Sequence, residues 1–144
     1  EDVMATRPWI GGIPEALAAC RVAGLKSALV SMSWRRFTHA VGELLPGAFD
    51  AIVSGDDVSR GKPDPEPYLL AAARLDLNPA DCLAVEDSPT GAGSSLAAGI
   101  PTLAVPGAVA VPDQPGLAQA GSGWELTPDR LRAAHARLLS ELGG

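Results

Sequence analysis

The feature that most constrains the fold is the alternation of short apolar runs with amphipathic helical stripes along the chain. In each stripe apolar residues recur with helical spacing, as in Ile13, Ala16, Leu17 and Cys20, which marks one face of an α-helix. The intervening apolar runs are too short for helices and indicate buried strands. The strands are predicted at 26–31, 51–54, 82–86 and 102–105. Helix starts are predicted at Asp64-Pro65, Ser88-Pro89 and Thr127-Pro128, where a capping side chain precedes proline.

Strands that alternate with helices in this way indicate a parallel sheet with helices on both faces. The segment from Pro106 to Gly123 is rich in proline, glycine and alanine, and we expect a loop there with at most one short element. The sequence shows neither an internal repeat nor a second domain. We therefore predict an α/β fold with a doubly wound parallel sheet, in which ligands bind at the C-terminal ends of the strands.

Composition and charge exclude several classes of protein and of binding partner. Of the 144 residues 47% are hydrophobic and 19% are charged, which excludes a disordered chain. The net charge of −6 would repel phosphate backbones, so we expect no nucleic-acid partner. No apolar run approaches the eighteen or so residues of a membrane span, and the N-terminus does not resemble a signal peptide. We expect a cytoplasmic protein with two reduced cysteines, and the initial Glu1 favours a chain that starts within a longer protein.

Two acidic residues, Glu86 and Asp87, close the third predicted strand where the chain turns into a helix. Adjacent carboxylates repel each other unless a cation is present, and Mg²⁺ prefers one or two carboxylates with water and phosphate oxygens. Alternatively, Asp87 caps the helix and Glu86 is solvated.

Lys62 lies in the proline-stiffened segment Gly61-Lys62-Pro63-Asp64-Pro65, which could aim it as a point charge at a phosphate. The alternative is a solvated loop lysine.

The first predicted strand ends in a segment suited to an anion. Ser31 could donate its hydroxyl to a phosphate oxygen, and the backbone N–H groups of Met32 and Ser33 lie close by. Arg35 and Arg36 could hold a second anionic group of a substrate. The alternatives are a capping serine and a solvated first helical turn. A hydroxyl, a fixed cation and paired carboxylates are together what a Mg²⁺-assisted phosphoryl-transfer site requires.

A dinucleotide site is not expected, although the segment GAGSSL at 91–96 approaches the glycine-rich fingerprint. Its last position is Leu rather than Gly or Ala, and it follows an acidic insert rather than the strand itself. Two carboxylates at that place would repel a pyrophosphate.

Taken together, the segments ALVSMS, SGDDVSRGKPDPEPYLLAAARL and CLAVEDSPTGAGSSLAAGIPTLAV resemble the second, third and fourth motifs of the haloacid dehalogenase superfamily. The match is closest to its β-phosphoglucomutase-like phosphatase branch and covers residues from about 10 to 107. The resemblance implies that Ser31 hydrogen-bonds the transferring phosphoryl group and that Lys62 neutralises its charge. It implies that Asp87 binds Mg²⁺ directly, while Glu86 ligates the metal or orients its water. The implied enzyme is a Mg²⁺-dependent phosphatase that acts on a small phosphorylated metabolite through an aspartyl-phosphate.

The sequence departs from the family's pattern in one large respect. The first motif, a hydrophobic strand running into Asp-x-Asp-Gly-Thr with the nucleophilic aspartate, is absent, and so is the helical cap. Asp56-Asp57 comes nearest but reads as a turn. We expect residues 1–9 to be the end of a cap or a hinge, and residues 10–144 to be a partial hydrolase core. In the family the missing strand lies between the strands that carry Ser31 and Asp87.

This chain alone is therefore expected to be inactive. A missing N-terminal segment, or a second copy of the chain, would have to supply the strand. Two alternatives stay open for its function: a sugar-phosphate mutase of the same family, and a catalytically dead, truncated domain that binds phosphate ligands or partner proteins.

Overall fold

Short parallel strands and α-helices alternate along the computed structural model, which describes residues 13–121 and 126–143. In chain order the elements are α1 (Ile13–Val22), β1 (Ala28–Val30), α2 (Arg35–Glu43), β2 (Ala51–Val53), α3 (Glu66–Arg74), β3 (Ala84–Glu86), α4 (Pro89–Ala97), β4 (Thr102–Ala104), β5 (Leu117–Gln119) and α5 (Pro128–Glu141). Two single 3₁₀ turns lie at Gly55–Asp57 and Pro79–Asp81. This order confirms the predicted α/β class. The prediction of a cap end or hinge at 1–9 lies outside the described residues.

The strands form two groups rather than one continuous sheet. β1 pairs in parallel with β2, with Leu29 opposite Ile52. The second group has the order β3-β4-β5, and all its pairings are parallel. Over the described part of the chain, no ladder joins β1 to β3. The division falls between the strand that precedes Ser31 and the strand that ends at Glu86, which is where the sequence analysis expected a missing strand.

Helices cover both faces of the second strand group. Leu103 packs with Leu138 of α5 on one face, whereas the next residue, Ala104, packs with Ala92 of α4 on the other. This alternation follows from the two-residue period of a strand. Helix α4 also contacts α3, and α5 contacts α1. The arrangement confirms the doubly wound architecture.

The predicted helix starts depend on side-chain caps. Ser88 and Thr127 each accept a hydrogen bond from the backbone N–H three residues further on, at 3.1 and 3.2 Å. Both caps were predicted. Helix α3 begins at Glu66, slightly later than predicted, and the Asp64 carboxylate accepts the Glu66 N–H at 2.9 Å. These caps satisfy N–H groups that the first turn of a helix leaves unpaired, and they fix where each helix leaves its strand.

The segment after β4, predicted to be a loop with at most one short element, contributes the edge strand β5. Its three residues pair with β4, and Leu117 is buried against Ala104. A strand this short shows no readable periodicity, so tertiary pairing rather than local sequence determines it. No helix within the described ranges is long and apolar enough to cross a membrane.

Candidate active site

Lys62 lies between the C-terminal ends of the two strand groups. Its Nζ donates to Glu86 Oε2 at 2.6 Å, at the end of β3, and to the carbonyl oxygen of Val30 at 3.1 Å, at the end of β1. The Lys62 and Glu86 side chains are only 14% and 7% exposed. The alternative of a solvated loop lysine is therefore wrong, because the ammonium group bridges the two parts of the sheet.

Tyr68 and Gly91 hold the Glu86 carboxylate from two further directions. The Tyr68 hydroxyl, on α3, donates to the same Glu86 Oε2 that accepts from Lys62. Burial, and next the nearby Glu86 charge, raise the pKa of Tyr68 well above its usual range, so the phenol keeps its proton. A Cβ placed on Gly91, in the first turn of α4, would lie 1.8 Å from Glu86 Oε1. Only glycine lets that helix pass so close to the carboxylate.

Asp87 differs from its neighbour because its side chain is exposed. In the part of the chain that the structure describes, no hydrogen bond to its carboxylate is present, and Ser88 rather than Asp87 caps α4. The same part contains no group of three acidic, histidine or cysteine side chains that could hold a metal ion by themselves. Mg²⁺ commonly takes one or two carboxylates and completes its shell with water and phosphate oxygens. An exposed, uncommitted carboxylate at a strand end fits that requirement.

Ser31, Met32 and Ser33 form the loop that follows β1. The Ser31 N–H donates to the Val53 carbonyl at 3.0 Å and so extends the pairing of β1 with β2. The Ser31 hydroxyl accepts the Ser33 N–H at 3.3 Å, and the Gly55 N–H donates to the Ser33 carbonyl at 2.9 Å. The loop therefore lies at the same edge of the sheet as Lys62, since Lys62 binds the carbonyl of the residue before Ser31.

Arg35, which was predicted to bind substrate, is paired with an acidic side chain. Its guanidinium donates to Asp57 Oδ1 at 2.5 Å, and its backbone N–H donates to Asp56 Oδ1 at 2.7 Å. The Arg35 side chain is 55% exposed, whereas Asp57 is only 5% exposed. The structure thus brings Lys62 and Glu86 together near Ser31, and it directs Arg35 towards Asp57.

Sequence reasoning missed the roles of two residues around the site. Tyr68 was assigned to the apolar stripe of a helix, although it is the only tyrosine in the chain and follows the GKPDP segment by less than one helical turn. Asp57 was interpreted as a turn residue, which is correct for its backbone but omits its ion pair with Arg35. Its position in the turn that follows the buried end of β2 was the available signal.

The depressed pKa of Asp57 predicts a loss of stability in acid. The hydrogen bond from Arg35, assisted by Ser54 and Arg74, holds the pKa of this carboxyl at about 2, below its usual 3.8. Asp57 therefore stabilises the folded state at any pH above about 4, and this stabilisation decreases as the pH falls towards about 2. We expect the free-energy difference between the unsubstituted chain and Asp57→Asn in urea unfolding to shrink between pH 5 and pH 2.5 (roughly the span of the two pKa values). A difference that is constant or grows over this range would contradict the assignment.

Comparison with known proteins shows the family of the chain. Residues 4–99 match the family model of the haloacid dehalogenase-like hydrolases. The chain belongs to that family. Hexitol phosphatase B of Escherichia coli is 38% identical over 103 residues, which are 70% of this chain and 46% of that protein. β-Phosphoglucomutase of Bacillus subtilis is 48% identical over 52 residues, which are 36% of this chain and 23% of that protein.

A solved structure supports the fold. CbbY from Rhodobacter sphaeroides, in complex with phosphate, superposes with a TM-score of 0.70 at 26% identity, over 82% of this chain and 56% of that one. The predicted resemblance to the β-phosphoglucomutase-like branch is confirmed by these relatives. The chain spans about half the length of the curated relatives it matches, since it covers 46% of hexitol phosphatase B.

Proposed function

We propose that this chain is the phosphate- and metal-binding part of a phosphatase that acts on a small phosphorylated metabolite. The observation that carries the proposal is the buried Lys62 ammonium, held at 2.6 Å from Glu86 and 3.1 Å from the end of β1. A lysine fixed at strand ends in a doubly wound sheet is placed where ligands of such folds bind. Its charge suits a phosphoryl group because it is little screened by water there.

The other residues take complementary roles in this proposal. The Ser31 hydroxyl and the N–H groups of Met32 and Ser33 hydrogen-bond the phosphoryl oxygens, and Lys62 offsets their charge. In phosphoryl transfer such positioning and electrostatic stabilisation supply most of the catalysis. Arg35 was predicted to bind a second anionic group. It would have to share its guanidinium with Asp57 to do so, and that role stays a prediction.

The metal in the proposal is Mg²⁺. Asp87 would bind the ion directly. Glu86, whose Oε2 already accepts hydrogen bonds from Lys62 and Tyr68, would orient a water molecule of the ion rather than bind the ion itself. When bound, the ion supplies Lewis-acid stabilisation of the phosphoryl oxygens. Lys62 and Tyr68 keep the Glu86 carboxylate oriented, which leaves the exposed Asp87 carboxylate available.

The nucleophile in the proposal comes from a strand between β1 and β3. In the described part of the chain, β1 and β3 do not pair with each other. Each therefore has an unpaired edge at this division, and such an edge can accept a further strand. A preceding N-terminal segment would provide this strand, and the strand would end in the aspartate that forms the aspartyl-phosphate. A second copy of the chain could fill the gap with a strand but would bring no nucleophile, because it lacks the same motif. Without that strand we expect the 144 residues to bind phosphate without turnover.

Other functions compatible with the same site are a sugar-phosphate mutase and a truncated domain that only binds phosphate. The similarity to a protein named β-phosphoglucomutase is the reason to consider the mutase. The absence of the family's first motif is the reason to consider the binding domain. The cytoplasmic location and the absence of nucleic-acid partners stay predictions from composition.

Phosphate binding by the chain tests the proposal most directly. Inorganic phosphate would be titrated into the protein with and without Mg²⁺ by calorimetry. We expect Lys62→Ala to weaken the phosphate affinity by at least about tenfold, because a charge-assisted contact is lost. Ser31→Ala, which leaves the Lys62–Glu86 pair intact, should weaken it by a smaller factor. A matched control is Lys26→Ala, whose Nζ also donates to a carbonyl, that of Leu75 at 2.7 Å, but away from the site.

Failure of the unsubstituted chain to bind phosphate would overturn the proposal. Equal affinities for Lys62→Ala and Lys26→Ala would also overturn it. Turnover is tested separately, with p-nitrophenyl phosphate, on the chain alone and on the chain joined to any coding sequence that precedes it in frame. Activity that appears only in the longer protein would support the strand between β1 and β3.

A further inference from the structure

The turn that follows β2 binds the segment that follows β1. We call Ser54–Asp57 the acidic turn and Ser31–Arg35 the serine loop. The Gly55 N–H of the acidic turn donates to the Ser33 carbonyl at 2.9 Å. Asp56 Oδ1 accepts the Arg35 backbone N–H at 2.7 Å, and Asp57 Oδ1 accepts the Arg35 guanidinium at 2.5 Å. Three hydrogen bonds from consecutive residues therefore connect the acidic turn to the serine loop.

Asp57 is anchored on its other side to the body of the fold. Its Oδ2 accepts the Ser54 N–H at 2.8 Å and the Arg74 guanidinium at 3.3 Å. Arg74, at the end of α3, also donates to the Ile52 carbonyl of β2 at 2.6 Å. With 5% exposure, the Asp57 side chain is a buried link between α3, β2 and the serine loop.

The two segments are also packed without space between them. A Cβ placed on Gly55 would lie 2.3 Å from the Met32 carbonyl oxygen, so the acidic turn rests directly on the backbone of the serine loop. Behind them, the buried Thr38 hydroxyl donates to the Arg35 carbonyl at 3.0 Å and shares a hydrogen bond of 2.5 Å with the Ser54 hydroxyl. These contacts fix the backbone of the serine loop and do not use the hydroxyl groups of Ser31 and Ser33.

We propose that Asp57 is a positioning residue for phosphate binding, which acts through Arg35 to hold the Ser31 hydroxyl and the Met32 and Ser33 N–H groups in place. This inference rests on the proposed function, because it assumes that those donors bind phosphate. Donors that are fixed before the ligand arrives cost little reorganisation on binding. Loss of the Asp57 charge would free Arg35 and leave the serine loop with fewer constraints.

The test compares two aspartate substitutions that affect the same pair of strands at opposite ends. Asp57→Asn removes the charge beside the serine loop. Asp50→Asn is the matched control, because Asp50 accepts the Ser27 N–H at 2.9 Å and pairs with Arg21 at 3.6 Å, at the N-terminal ends of β1 and β2. We expect Asp57→Asn to weaken the affinity for inorganic phosphate by about tenfold, since small misplacements of binding groups are costly. The control should bind phosphate as the unsubstituted chain does.

A second readout separates positioning from general stability. Amide hydrogen exchange at Met32 and Ser33 should accelerate in Asp57→Asn and stay unchanged in Asp50→Asn. If Asp57→Asn does not fold, Arg74→Gln loosens the anchor of Asp57 without changing the serine loop, and a smaller loss of phosphate affinity is expected.

The outcomes distinguish this inference from the proposed function. If the unsubstituted chain binds phosphate and Asp57→Asn binds it equally well, the positioning role is overturned while the proposed function stands. Equal weakening by Asp57→Asn and Asp50→Asn would overturn it too, because the effect would then follow stability. If the unsubstituted chain binds no phosphate, both proposals are overturned.

Discussion

Replacement of Glu86 by alanine is expected to lower the free energy of unfolding by about 3–5 kcal/mol, the usual cost of removing one partner of a buried ion pair. In Glu86→Ala the Lys62 ammonium loses its anionic partner and keeps the Val30 carbonyl and the face of the Tyr68 ring, while the Tyr68 hydroxyl loses its acceptor. Both groups are largely shielded from water, which cannot fully replace the carboxylate. Urea unfolding followed by circular dichroism measures the change.

The adjacent carboxylate provides the control for this experiment. Asp87→Ala removes an exposed side chain from the same strand end, and we expect it to change the free energy of unfolding by no more than about 0.5 kcal/mol. Glu86→Gln, which keeps the shape and can still accept from Tyr68, should lie between the two. If Glu86→Ala and Asp87→Ala prove equally stable, Lys62 and Glu86 do not form a buried pair in solution.

Truncation of Leu138 is expected to cost about 2–5 kcal/mol of stability, because it leaves a cavity in the packed interior. Leu138, on α5, is 1% exposed and belongs to a cluster with Leu103 of β4 and Val105. Leu138→Ala would remove one of the side chains of α5 that pack against this cluster, to which Ala134 also belongs. The loss is measured as a shift of the urea midpoint with an unchanged slope.

Leu69→Ala is the matched control for the cavity, since Leu69 also lies inside a helix, α3, but is 44% exposed. Both substitutions improve helix propensity by the same small amount. We expect the control to lose less than about 1 kcal/mol, since it buries little area. A loss for Leu69→Ala as large as that for Leu138→Ala would contradict the placement of the core between α5 and β4.

Local sequence patterns determined where the helices and the first four strands lie, and they predicted which residues stand at the strand ends. The helical stripe that begins at Ile13 and the caps at Ser88 and Thr127 each depend on residues within one or two turns of one another. For this reason they can be read without knowing the rest of the molecule. Parallel strands with helical connections bring their C-terminal ends to one edge, so Ser31 and Glu86 could be expected on the same side.

The tertiary structure decided which charges meet. Lys62 is 24 residues from Glu86 and Arg35 is 22 residues from Asp57, and no local pattern specifies pairs at such separations. The sequence left open whether Lys62 and Arg35 are solvated, because exposure depends on which elements pack around them. Tyr68 became a partner of Glu86 only because α3 lies across the end of β3.

The division of the sheet shows both contributions. The sequence by itself revealed that a strand with the family's first motif is absent, since its residues can simply be searched for. Only the tertiary structure shows that β1 and β3 stay unpaired while Lys62 joins their ends by hydrogen bonds. The physical reason is that strand pairing and the burial of a charge are long-range properties. They depend on how distant segments pack, whereas helix periodicity, capping and the residues of a motif depend on neighbouring residues in the sequence.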